Sequence, residues 1–173
     1  DKCAAGGVFM AVSRAAIIDA NFTSAVSALA APAVPGDLDA PLRSGYRLTG
    51  RKALELFESM LSSRHLDLTA RELKARGEGF YTIGASGHEC NVAVAAATES
   101  TDPAFLHYRS GAFFVQRARQ VPGSTPLMDV LLGMVGSTDE PMAGGRHKVF
   151  GSVPLSIPPQ TSTIASHLPK AVG

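Results

Sequence analysis

The chain has 173 residues, 16 basic and 15 acidic side chains, 45% hydrophobic residues and no tryptophan. That length supports one domain with a real core and excludes two of ordinary size. A net charge of +1 with 6% aromatic residues excludes a dense basic face or a base-stacking platform, and no run of about 18 apolar residues occurs, so neither nucleic acid nor a membrane is an expected partner.

Two cysteines, Cys3 and Cys90, cannot build a disulfide framework and form no Cys-x-x-Cys pair, which points to a reducing, cytoplasmic setting. Residues 3–13 are apolar after Lys2, but Arg14 interrupts the run, and an apolar helix is the better reading than a leader. Residues 8–29 are Ala-rich and read as one or two short helices with a possible cap at Ser24. Pro32, Pro35, Gly36 and Pro41 then break any helix. Residues 1–45 are therefore expected to form a helical N-terminal extension and Pro-rich linker, and residues 46–173 a domain.

From Thr49, a plausible N-cap, Leu54, Phe57 and Leu61 fall at helical spacing, followed by Leu66, Ala70 and Leu73 before Gly77. Residues 80–83 could be a brief strand or an extended turn, and 89–98 a buried helix of small side chains. Ala104-Phe105-Leu106-His107-Tyr108 has the length and flanks of a buried parallel strand. Helices are predicted over 111–119 and 126–134, a Gly/Pro-punctuated loop over 136–159, and a final helix over 164–173 that stops mid-element. The expected class is α/β, a parallel sheet flanked by helices.

Several patterns carry chemistry. Gly87-His88-Glu89-Cys90 places three potential ligands in a row, but neighbours on a helix diverge, and Cys90 reads as an inert thiol. Tyr108-Arg109 ends the predicted strand, where a guanidinium fork can take a phosphate or carboxylate; a surface salt bridge is the plain alternative. Residues 1–102 carry 10 basic and 12 acidic side chains, and residues 103–173 carry 6 basic and 3 acidic, which favours an anion site in the second half. Arg146, His147 and Lys148 fit the same picture, or a solvated charge run. The hydroxyls of residues 161–167 can coordinate a cation, bind an anion on their N–H groups, or simply cap a helix.

Taken in order, these fragments resemble the alpha chain of the thiamine diphosphate-dependent 2-oxo acid dehydrogenases, of branched-chain or pyruvate type. The matching pieces are Arg64-His65-Leu66-Asp67, Gly79-Phe80-Tyr81, Gly87-His88-Glu89, Tyr108-Arg109-Ser110-Gly111, Gly145-Arg146 and the stretch from Thr161 to Gly173. The likeness runs from about Gly45 to the last residue. It implies a thiamine diphosphate-binding fold, here incomplete, and oxidative decarboxylation of a 2-oxo acid with acyl transfer to a lipoyl group.

The resemblance also implies roles. Tyr108 and Arg109 would hold the diphosphate, Ser162 and Ile164 would flank the aminopyrimidine, and Phe80 would line the substrate end. His147 would be the catalytic histidine after the Gly-Arg motif, and Thr161, Thr163, Ser166 and His167 would bind a structural potassium ion. His88 and His167 stand where glutamine is common in the family, and the Gly-Arg-x-Met-x-x-His pattern is shortened at His147. The implied partners are the beta chain, or beta half, and the lipoyl domain of the acyltransferase component. The Mg²⁺ ligands are expected beyond Gly173 and the activating carboxylate from the beta chain or beta half, leaving the chain inactive alone. A non-catalytic α/β binding or interaction module is the alternative.

Overall fold

The computed structural model describes residues 13–30, 36–80, 83–146, 149–161 and 163–173. The chain divides into two units, Asp1–Asp37 and Leu38–Gly173. In the first, α1 (Arg14–Ser27) starts where the Ser13 hydroxyl accepts the Ala16 N–H. Ser24 lies within α1 rather than at its start, and Ile18, Phe22 and Val26 are exposed along it.

Among the described residues the second unit holds five helices: α2 (Gly50–Ala75), α3 (Val92–Ala97) entered through a 3-10 turn at Glu89–Asn91, α4 (Gly111–Ala118), α5 (Pro126–Val135) and α6 (Leu168–Val172). Thr49 does cap α2, its hydroxyl accepting the Lys52 N–H at 3.2 Å. The two amphipathic stretches expected there form one helix, whose inward face is Ser59, Ser63, Leu66, Asp67, Ala70 and Leu73. Leu54 and Phe57, expected on the core side, are exposed. The small side chains of Ser59 and Ser63 are what admit α4 against this face.

Every residue of α4 is buried. Phe113 and Phe114 join Leu66, Val130, Met134, Phe150 and Leu155 in one apolar cluster. Two polar side chains go in with them. Gln116 accepts from the Ser59 hydroxyl at 2.8 Å and donates to the Glu55 carboxylate at 2.6 Å, while Arg119 Nε donates to Ser59 Oγ at 3.0 Å. Burial alone would push the Glu55 carboxyl up, but hydrogen bonds from Lys52 and Gln116 with the charges of Lys52 and Arg119 hold it below the ordinary value. Arg117, 1% exposed, donates to the Asp102 carbonyl and the Thr98 hydroxyl and lies over the Phe113 ring.

No strand occurs among the described residues; two isolated antiparallel bridges, Pro41 with Thr49 and Ser152 with Ile157, are the extended pairings formed. The unit is helical, and the expected α/β parallel-sheet architecture is incorrect. Residues 104–108 explain the error. Leu106 is buried, and the Ala104 N–H donates to the Ser156 carbonyl, but no ladder follows. An apolar run reports burial, and here the burial comes from helices and the 152–157 turn instead of neighbouring strands. No helix among the described residues is long and apolar enough to cross a membrane.

Arg117→Ala removes the donors for two polar groups and leaves a void at the centre. Destabilisation of at least about 3 kcal/mol is expected, read as a lower urea midpoint at unchanged slope.

Candidate functional site

The site is built outward from α2. Arg64 and Asp67, three residues apart, share one face of the helix. Asp67 is 6% exposed, and its Oδ2 accepts the Ala85 N–H at 2.7 Å. A Cβ at Gly84 would stand 2.6 Å from that oxygen, so glycine is what lets the loop close onto the carboxylate. Arg64 Nη1 lies 3.9 Å from Asp67 and donates to the Ser86 hydroxyl at 2.8 Å. From the other side, Arg109 Nη1 donates to the Gly84 carbonyl at 2.5 Å. Two guanidinium groups thus bracket residues 84–86.

Residues 107–110 turn directly into α4, the Ser110 N–H donating to the His107 carbonyl. The Arg109 guanidinium lies 5.2 Å from the Tyr108 ring centroid, and the Tyr108 and His107 rings are 3.8 Å apart. His88, from the turn ahead of α3, stacks on His107 at 6.0 Å. Burial lowers the His107 pKa below the ordinary histidine value, and the charges of His88, Arg109 and His167 lower it further. Folding stability should therefore rise with pH through the window below that ordinary value, where the unfolded chain binds a proton that the folded one refuses.

Arg109 is half-buried and commits one N–H to Gly84; its other guanidinium N–H groups have no protein partner among the described residues. The carboxylate of this group, Asp67, is already engaged by Ala85. A fork with spare donors beside a phenol and imidazoles is suited to an oxyanion. A cleft of about 460 Å³ lies elsewhere, bounded by Glu58, Ser62, Arg119 and Met128. There Arg119 is paired with Glu58 at 2.8 Å, so that cleft offers an anion much less.

Of the residues predicted from sequence, Tyr108 and Arg109 come together. Phe80 is 80% exposed, with its N–H directed to the Met134 carbonyl, and Ile164 is 74% exposed. Thr161 and Ser166 hydroxyls hydrogen-bond at 3.0 Å, the Thr163 carbonyl accepts the Ser166 N–H, and His167 bears on His107. His147 and Ser162 lie outside the described residues. Arg146 is exposed after Gly145, where a Cβ would run into the Gly136 backbone. Glu89 accepts the Gly87 N–H at 2.7 Å, Cys90 is an exposed thiol, and among the described residues no cluster of three His, Cys, Asp or Glu side chains can hold a metal.

Sequence reasoning gave no site role to Arg64, Asp67, Gly84 or His107. A charged i, i+3 pair flanking the apolar face of the helix was the available signal for the first two. Comparison with family models, curated proteins and solved structures yields no match.

Asp67→Ala should free the 84–86 loop. The expected outcome is faster amide exchange at Ala85 and a loss of about 1–3 kcal/mol in stability, the cost of stranding a buried donor.

Proposed function

We propose that the chain is part of the decarboxylating component of a thiamine diphosphate-dependent 2-oxo acid dehydrogenase, acting on pyruvate or a branched-chain 2-oxo acid. The observation that supports it best is the half-buried Arg109 fork, its register held by Gly84 and its remaining donors uncommitted among the described residues. Those donors fit one end of a diphosphate. When bound, thiamine diphosphate supplies the electron sink that allows a 2-oxo acid to lose CO₂.

This chain's own contribution is binding and orientation. Arg109 would grip diphosphate oxygens, with the Tyr108 hydroxyl adding a donor and Arg64 contributing positive charge from α2. In this reading Ser162 and Ile164 flank the aminopyrimidine, Phe80 meets the substrate, and His147 serves the reacting centre. Thr161 and Ser166, already in contact, would be the start of a potassium site completed by Thr163 and His167. Mg²⁺ is assigned to ligands outside this chain. The high exposure of Phe80 and Ile164 supports a partner that covers them, proposed as the beta chain or beta half. The acyl group would pass to a lipoyl domain of the acyltransferase component, in the cytoplasm.

Calorimetric titration with thiamine diphosphate and Mg²⁺ tests the assignment. Arg109→Ala should weaken binding by about 1.5–3 kcal/mol, and Arg109→Lys should recover part of it. The ligand-free variant should lose only about 1 kcal/mol of stability, from the bond to Gly84. Unchanged affinity in Arg109→Ala would remove the cofactor assignment and favour a non-catalytic binding or interaction module. Without the proposed beta partner, the chain should release no CO₂ from pyruvate or 2-oxoisovalerate, since the group that activates the cofactor would come from that partner.

A further inference from the structure

We infer that Asp67 is a positioning residue for the oxyanion site, acting on Arg109 through a single peptide group. The inference rests on the reading of Arg109 as an oxyanion ligand. Asp67 Oδ2 accepts the Ala85 N–H at 2.7 Å, and Arg109 Nη1 donates to the Gly84 carbonyl at 2.5 Å. That N–H and that carbonyl belong to the same peptide bond. The bond is trans and planar, so its two polar groups point in opposite directions. Asp67 and Arg109 therefore hold one rigid plate from opposite edges.

Each end strengthens the other. A carboxylate on the N–H polarises the amide and leaves more negative charge on the carbonyl oxygen, which tightens its bond to the guanidinium. Asp67 also stops the plate from turning, a freedom that a glycine at position 84 would otherwise have. Asp67 and Ala85 are 6% and 4% exposed, so water competes little for either group. The Ala85 carbonyl accepts the His88 N–H at 2.8 Å, which anchors the following peptide separately.

Arg109 has a long, flexible side chain, and holding Nη1 on Gly84 removes much of its freedom before any ligand arrives. The oxyanion then meets a fork already aimed. The charge of Asp67 works the other way, because a carboxylate near an anion repels it. Losing the acceptor and losing the charge should thus move affinity in opposite directions, which separates the two roles of one side chain.

Inorganic pyrophosphate is the probe, titrated calorimetrically into the full chain at one pH above the histidine range. Asp67→Asn deletes the charge but keeps an oxygen for the Ala85 N–H, whereas Asp67→Ala deletes both. Asp67→Ala should weaken binding about fivefold, the worth of one pre-ordered side chain, and Asp67→Asn should stay within about twofold of wild type. In the Arg109→Ala background, Asp67→Ala should have no further effect, since its route to the ligand is gone. Equal losses in both backgrounds indicate general loosening of the fold, and tighter binding in both Asp67 variants indicates a simple repelling charge; either result overturns the relay. Should Asp67→Ala fail to fold, Asp67→Asn decides. Wild-type affinity, with rotation of the Arg109 guanidinium as slow by NMR as in wild type, upholds the relay, and tighter binding or faster rotation overturns it. Binding that depends on Arg109 but is untouched by Asp67→Ala also overturns the relay while the oxyanion reading stands. Binding that does not weaken in Arg109→Ala removes both.

Discussion

A helix buried on every side must satisfy its polar side chains from within, and α4 carries both Gln116 and Arg117 into the interior. Groups are placed for both, although Arg117 Nε has no partner among the described residues. Ser59 and Glu55 on α2 take Gln116, and the Asp102 carbonyl and Thr98 hydroxyl take Arg117. The cost of leaving either unpaired, about 1–3 kcal/mol per buried group, is comparable to a sizeable share of a domain's net stability. This fixes the rotation of α4 against α2 more tightly than apolar packing, which tolerates sliding, would do alone.

The site inherits its geometry from that constraint. Residues 107–110 lead directly into α4, so once α4 is set, Arg109 has a defined origin. The loop it grips is set independently, by Asp67 from the middle of α2. Arg64 then reaches the same loop through Ser86. Two helices locked by a buried polar network therefore present two guanidinium groups to one short segment, and no sheet is needed to align them.

What was legible in the sequence follows the range of the forces involved. Local signals held: the Thr49 cap, the helix from Pro126, and the helix after Gly111 all depend on residues a few positions apart. The inward face of the first half of α2 did not, because Leu54 and Phe57 outweigh Ser59 and Ser63 in any apolar pattern. Ser59 answers Gln116, 57 residues away, a partner that no local pattern reveals. The strand expected at 104–108 failed for a similar reason. Sequence marks that run as buried but does not say what buries it. The pairing of Tyr108 with Arg109 was readable since they are adjacent; the contributions of Asp67 and Gly84 required the fold.

Charge counting located the site only in part. The excess of basic residues after position 102 pointed to the second half, yet three of those six charges are occupied. Arg117 is enclosed by carbonyls, Arg119 is paired with Glu58, and Lys170 donates to Gln160. Arg146 is exposed, where water screens it. Arg109 differs by combining partial burial with donors left over among the described residues, and Arg64, which reaches the same loop, belongs to the half whose net charge is negative. An oxyanion responds to the local field and to donors free to turn toward it, and both depend on which charges the fold has already neutralised.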